Sequence, residues 1–160
     1  MMEDESRDFD VVVIGGGQAG LAVGYYLRRT ALRWTILDAQ DGPGGAWPRA
    51  CRSLRLFSPA RFSSLPGWMM PGGDGYPTRD ETIDYLAQYE ARYGLAVHRP
   101  VRVTAVRREG GGFRVESDAG EWRARAVVSA TGTWAAPYVP EVPGLASFRG
   151  VQLHSSRYES

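Results

Sequence analysis

Residues 10–20 read DVVVIGGGQAG, an apolar stretch that runs straight into Gly15-x-Gly17-x-x-Gly20. No other part of the chain limits its fold as much. The near-continuous apolar run Phe9–Ile14 has the pattern of a strand buried on both faces of a parallel sheet. Gly15 permits a tight turn after it. Gly17 leaves bare backbone that a pyrophosphate can approach, and Gly20 lets a helix pack close to the strand. That helix is predicted to run to Arg29, with Leu21, Ala22, Tyr25 and Tyr26 on one face. Trp34–Leu37 reads as a second buried strand. Strand, glycine turn, helix and strand make a βαβ unit, and hence an α/β domain of Rossmann-like type built on a parallel sheet.

A glycine fingerprint alone is a weak signal. Here it follows a predicted strand, opens a predicted helix, and is followed by Asp38 eighteen residues after Gly20. The helix start, with Gln18 and Ala19 in its first turn, offers unpaired N–H groups and a partial positive charge to phosphates. Asp38 ends the second strand, where a carboxylate can bond a ribose hydroxyl pair and would repel a 2′-phosphate. The pattern therefore points to NAD or FAD, not NADP, at this first site.

The segment 41–76 is rich in Gly, Pro, Ser and aromatics and has no period. A connection that long inside a compact domain is usually functional. Trp68, Met69 and Met70 within it are candidates either for lining a substrate path or for covering apolar surface. Thr78-x-x-Glu81 is a capping box, opening a helix through Ile83, Leu86 and Ala87 that ends at Gly94. From Val97 the pattern becomes β. Val101, Val103 and Val106 read as one strand, Phe113–Glu116 as the next and Trp122–Arg125 as the third, forming a three-stranded β-meander inserted in the crossover. Ala126–Ala130 then reads as a separate third parallel strand. Pro137, Pro140 and Pro143 lie three apart, which suits an extended tail.

Composition narrows the function classes. At 160 residues the chain suffices for one domain with a proper core. A formal net charge of +1 gives no electrostatic case for nucleic acid or an anionic membrane. All 19 basic residues are arginine, so these residues hold no Schiff-base or P-loop lysine. Cys51 is the only cysteine, which excludes an intrachain disulfide or a C-x-x-C pair and fits a cytoplasmic setting. Val11–Leu27 is uncharged for 17 residues, but five glycines interrupt it and an acidic segment precedes it. That is unlike a spanning helix or a signal peptide, so no membrane partner is expected. No metal site is expected either.

Five stretches together resemble the flavin-containing monooxygenase-like flavoproteins, FAD- and NAD(P)-binding enzymes, in their small bacterial type. They are the Gly15–Gly20 fingerprint with Asp38, Gly44-Gly45-Ala46-Trp47, the Leu54–Pro66 stretch LRLFSPARFSSLP, Ala130-Thr131-Gly132, and Phe148–Tyr158, which fits F-x-G-x-x-x-H-x-x-x-Y. The resemblance implies FAD at the first site. Gly15, Gly17 and Gly20, with Gln18 and Ala19, would take the pyrophosphate and Asp38 the adenosine ribose. Gly45 and Trp47 would lie near the ribityl chain and flavin. Val103 would meet the adenine through its backbone, and Thr131 and Gly132 would close over the pyrophosphate. The family more often carries Glu at the Asp38 position, so the shorter side chain keeps the charge with less reach. His154 is the signature histidine of a segment that, in the family, joins the FAD and NADPH domains and assists coupling between them. The resemblance gives it no proton-transfer role. Tyr158 resembles the N-oxygenating branch. The Baeyer–Villiger branch usually has Trp there, followed by Pro or Asp, whereas Glu159 follows here.

The same resemblance implies that the chain is the N-terminal portion of such an enzyme. Residues 1–132 would form the FAD-binding domain with residues 99–125 as its meander insert, and residues 133–160 a connector toward an NADPH-binding domain that the chain lacks. The implied parent activity is that of an NAD(P)H-dependent monooxygenase acting through a peroxyflavin on N, S or ketone substrates, with a small-molecule substrate and O2 as partners. Two alternatives stay open: an FAD-dependent dehydrogenase without oxygenation, and a non-catalytic truncated FAD-binding module. A disulfide reductase is excluded by the cysteine count.

Overall fold

In the computed structural model, which describes residues 7–158, the apolar run near the start becomes the inner strand β1, Asp8–Ile14. The glycine turn leads into α1, Gln18–Leu27, and the chain returns in β2, Trp34–Leu37, parallel to β1. Helix α2, Arg79–Tyr93, precedes a two-residue parallel edge strand, β3, Val97–His98. Then come β4 (Val103–Glu109), β5 (Gly112–Ser117) and β6 (Gly120–Ser129). All six strands form one sheet in the order β3-β2-β1-β6-β5-β4. The βαβ unit and the Rossmann-like α/β fold are thus both present.

Strand alternation distributes the core. Val11 and Val13 point to one face, against Leu21, Ile36, Tyr85, Leu86 and Tyr89. Val12 and Ile14 point to the other, against Leu37, Val101, Val115, Trp122 and Ala124. β1 is therefore covered on both sides, as its apolar run requires. Leu86 is fully buried, and truncating it to alanine costs about 2–5 kcal/mol in sites of this kind.

Four details differ from the sequence reading. Trp122–Arg125 and Ala126–Ala130 are not two strands but one, β6. Residues 120–124 pair antiparallel with β5 and residues 123–129 parallel with β1, so Arg123 and Ala124 have strand neighbours on both sides. No Gly or Pro interrupts residues 121–129, so the chain has no reason to turn. β3 was not foreseen, because two residues carry no period. Val101 stands outside β4, its N–H donating to the Asp38 carbonyl oxygen at 2.8 Å. An irregularity of register between Val103 and Ala105 accompanies a Val106 that faces outward.

The helix faces also shift. In α1, Tyr26 is exposed and Gly24 takes an inward place, where a Cβ would come 3.0 Å from Ile36 Cδ1. In α2 the buried face is Thr82, Tyr85, Leu86 and Tyr89, while Ile83 and Ala87 are half-buried. The tyrosines face inward because their hydroxyls have partners in the long segment before α2. Tyr85 donates to the Trp68 carbonyl and accepts from the Leu65 N–H, both at 2.7 Å, and Tyr89 donates to the Pro66 carbonyl at 2.6 Å. Trp68 stacks on Tyr85 with ring centroids 5.0 Å apart, and Met70 is buried while Met69 is exposed. Trp68 and Met70 thus cover apolar surface. The capping box at Thr78 and Glu81 is formed, and Gly94 caps the other end.

Candidate functional site: a cleft at the carboxyl ends of the strands

β1 is where strand order reverses, with β2 on one side and β6 on the other. In open α/β sheets such a switch point opens a crevice outside the carboxyl ends of the strands. A cleft of about 440 Å³ lies there, bounded by the turn after β1, the end of β2 and the end of β6.

The glycine turn is built for close approach. Gly15 has φ +107°, and a Cβ on it would come 2.8 Å from the Ala130 carbonyl carbon, so the turn closes against the end of β6. A Cβ on Gly20 would overlap the Gly15 carbonyl oxygen. Gly17 is the N-cap of α1, and no side chain caps it. The first turn of α1 also holds no acidic residue. Its leading N–H groups and the positive end of the helix dipole are therefore left for an external anion.

Gly15, Gly17, Gln18, Ala19, Asp38, Gly45, Trp47, Thr131 and Gly132 all line this cleft. Gly45 reaches it from the far side, at φ +59°, with its backbone against Gly17. Trp47 opens a short 3-10 turn and also packs on the first core. Gly20 is buried beneath the turn and does not line the cleft. Gln40, Arg49, Trp134 and Ala135 line it as well, and no pattern in the sequence marks them. Arg49 adds a cation on the wall.

Asp38 is held by a partner that the sequence did not reveal. Its Oδ2 lies 2.7 Å from Arg99 Nε, and the two side chains are only 5% and 10% exposed. Arg99 Nη1 lies 2.7 Å from Glu90 Oε1 on α2, and Nη2 is 3.5 Å from the Gly16 carbonyl oxygen. Burial alone would lower the Arg99 pKa, but the hydrogen bonds to Glu90 and Asp38 outweigh it and raise it. The guanidinium is thus a fixed cation between two carboxylates.

Two residues stand apart. Val103 begins β4, pairs with Ser117 and packs on the second core, away from the cleft lining. His154 opens a 3-10 turn, Ser155–Arg157, also outside the lining. Its Nδ1 accepts the Ser156 N–H at 3.1 Å, which places the proton of a neutral ring on Nε2. Tyr158 is exposed, and Glu159 lies outside the described residues.

A larger depression of about 550 Å³ lies at the opposite end of β1, lined by both signs of charge, Asp8, Asp10 and Glu109 with Arg33, Arg123 and Arg125. It has no helix N-terminus, and Asp10 already binds the Arg33 N–H and Arg125 there. Among the described residues there is no cluster of metal-ligating side chains, and no helix is long and apolar enough to cross a membrane.

Residues 12–160 match the pyridine nucleotide-disulphide oxidoreductase family. The chain belongs to that family. Among its relatives, the flavin-containing monooxygenase of Stenotrophomonas maltophilia is 57% identical, with a TM-score of 0.88 over 96% of this chain and 47% of that one. An uncharacterised CzcO-like oxidoreductase of Geobacillus kaustophilus is 41% identical over 93% of this chain and 43% of its own length. S-allyl-L-cysteine S-oxygenase from Allium sativum is 27% identical, with a TM-score of 0.82 over 95% of this chain and 43% of that one. The likeness to flavin-containing monooxygenases carried by the five sequence stretches is borne out. The chain spans less than half the length of these relatives.

Proposed function

We propose that this chain is the FAD-binding portion of an NAD(P)H-dependent flavoprotein monooxygenase. The observation that carries the reading is the meeting of Gly17 and Gly45 beside the uncapped start of α1. Two stretches of bare backbone face each other where a diphosphate would be drawn to free N–H groups. Nothing stands within 4 Å of where a Cβ on Gly132 would lie, so this third segment also leaves room. The residues present therefore fit a dinucleotide.

In this reading Gly15, Gly17, Gln18 and Ala19 hold the pyrophosphate, while Gly20 keeps α1 close enough for its N–H groups to reach. Asp38 accepts from the adenosine ribose, and Thr131 and Gly132 close the other wall. Gly45 and Trp47 border the flavin side and limit access of water. Bound here, FAD would supply the redox and oxygen-activating chemistry that this chain's own side chains lack. The substrate is a small molecule with a nucleophilic N or S, or a ketone. The single cysteine sets the reading apart from dithiol chemistry within these residues and fits the cytoplasm.

Residues 133–158 carry only two short 3-10 turns, and Tyr138, Phe148, Val151 and Leu153 are exposed along them. This apolar ribbon suits a connector toward an NADPH-binding domain, with residues 1–132 as the FAD-binding domain and 99–125 as its insert. Saturable quenching of FAD fluorescence tests the first part of the reading, and absence of binding overturns it. Anaerobic NADPH followed by O2 and a sulfide or amine, applied to the full-length protein, tests the second. Reoxidation without an oxygenated product would make the parent a dehydrogenase.

A further inference from the structure

A buried carboxylate that recognises a ribose needs a partner for its charge and must stay in one place. Asp38 is buried almost completely, and an isolated carboxylate there would be strongly disfavoured. It is also one methylene shorter than Glu. Arg99 answers both conditions. Its Nε takes Asp38 Oδ2 at 2.7 Å, its Nη1 takes Glu90 Oε1 at 2.7 Å, and its Nη2 faces the Gly16 carbonyl. One planar group thus ties the end of β2 to α2 and to the phosphate loop. Main-chain bonds fix the same corner: the Asp38 N–H donates to the His98 carbonyl at 3.0 Å and the Asp38 carbonyl accepts from Val101 at 2.8 Å. Gly16 makes room for the pair. A Cβ there would come 2.7 Å from both Arg99 Nη2 and Asp38 Oδ2.

We propose that Arg99 is a positioning residue for the adenosine ribose, holding the Asp38 carboxylate so that its Oδ1 accepts from the ribose hydroxyls. The inference rests on reading the cleft as an FAD site. Arg99 does not itself bind a phosphate in this reading, because its charge is already paired with two carboxylates and its side chain is only 10% exposed. Asp38, Arg99 and Glu90 together carry one net negative charge, which suits a diol and opposes a 2′-phosphate.

The test measures dissociation constants of FAD and of its analogue lacking the adenosine 2′-hydroxyl, for the full chain and for Arg99→Gln. Removing the hydroxyl should weaken binding to the unaltered chain by about tenfold, the usual weight of a hydrogen bond to a charged group. Arg99→Gln should bind FAD about tenfold more weakly, and losing the hydroxyl should then cost less than about twofold. Equal penalties in both proteins would make Arg99 a support of the fold only and would overturn the proposal. So would indifference of the unaltered chain to the hydroxyl. Absence of FAD binding by the unaltered chain would instead overturn the cofactor reading on which the proposal stands. Arg99→Lys keeps the charge but not the fork, and should show an intermediate penalty. It decides the matter if circular dichroism shows Arg99→Gln unfolded.

Discussion

Gly45 stands so close to Gly17 that a Cβ on Gly45 would lie 2.8 Å from the Gly17 Cα. The contact joins the loop after β2 to the N-cap of α1, and the φ of +59° at Gly45 is one that an L side chain adopts at a cost of about 1–2 kcal/mol. Gly45→Ala therefore has to push the two loops apart at the mouth of the cleft. FAD affinity should fall at least about tenfold, more than the modest loss of Tm would account for. Fluorescence titration beside a thermal melt checks this. Unchanged affinity would remove the contact from the binding site.

His154 makes the opposite case. Its Nδ1 is spent on the Ser156 N–H, and it does not line the cleft. His154→Ala should leave FAD affinity within about twofold, as for a surface substitution. A tenfold loss would mean that residues 148–158 reach the cofactor in the bound protein.

The parts of the fold and site that could be read from the sequence are those specified within one turn or one strand. The run into Gly15-x-Gly17-x-x-Gly20 specifies strand, turn and helix start together, and Thr78 with Glu81 specifies a helix start three residues apart. What escaped depends on contacts distant in the chain. Arg99 lies 61 residues from Asp38, beside a histidine and a proline, with nothing local to pair it to a carboxylate. The inward tyrosines of α2 were missed because their partners are loop carbonyls about 20 residues away, those of Trp68 and Pro66, which no hydrophobic period records. β6 was cut in two because the change of partner from β5 to β1 leaves no mark in a strand whose backbone simply continues.

Acid should loosen α2 from its N-terminus. The Thr78 N–H and hydroxyl both donate to Glu81 Oε2 at 2.8 Å, and these bonds hold the Glu81 carboxyl below its ordinary value of 4.5. A depressed carboxyl contributes stability above the unfolded value, and that contribution is lost as pH falls through the folded one. Stability from this source should be level above about pH 5 and decline below 4.5. Asp10 is lowered in the same direction, by the Arg33 N–H first and Arg125 next. Thr78→Ala should cost about 1 kcal/mol at neutral pH and flatten the acid decline. Urea melts at stepped pH check both; an unchanged acid slope would mean that the bond from the Thr78 hydroxyl to Glu81 is not its source.

Alkali should release the long segment before α2. Burial raises the pKa of both Tyr85 and Tyr89 above the ordinary phenol value of 10.0, and for Tyr89 the neighbouring Tyr93, Tyr85 and Tyr25 add to it. A raised group contributes stability that is complete below the unfolded value and is lost as pH rises through the folded one. The loss should therefore begin above about pH 10, when unfolding exposes phenols that can ionise. An ionised Tyr89 also could not donate to the Pro66 carbonyl, nor Tyr85 to that of Trp68. Tyr89→Phe removes one phenol and one of these bonds. It should cost about 1 kcal/mol at neutral pH, and the decline above pH 10 should become shallower than in the unaltered chain. Denaturant midpoints measured between pH 8 and about 11 check this. A slope unchanged by the substitution would place the alkaline transition elsewhere in the molecule.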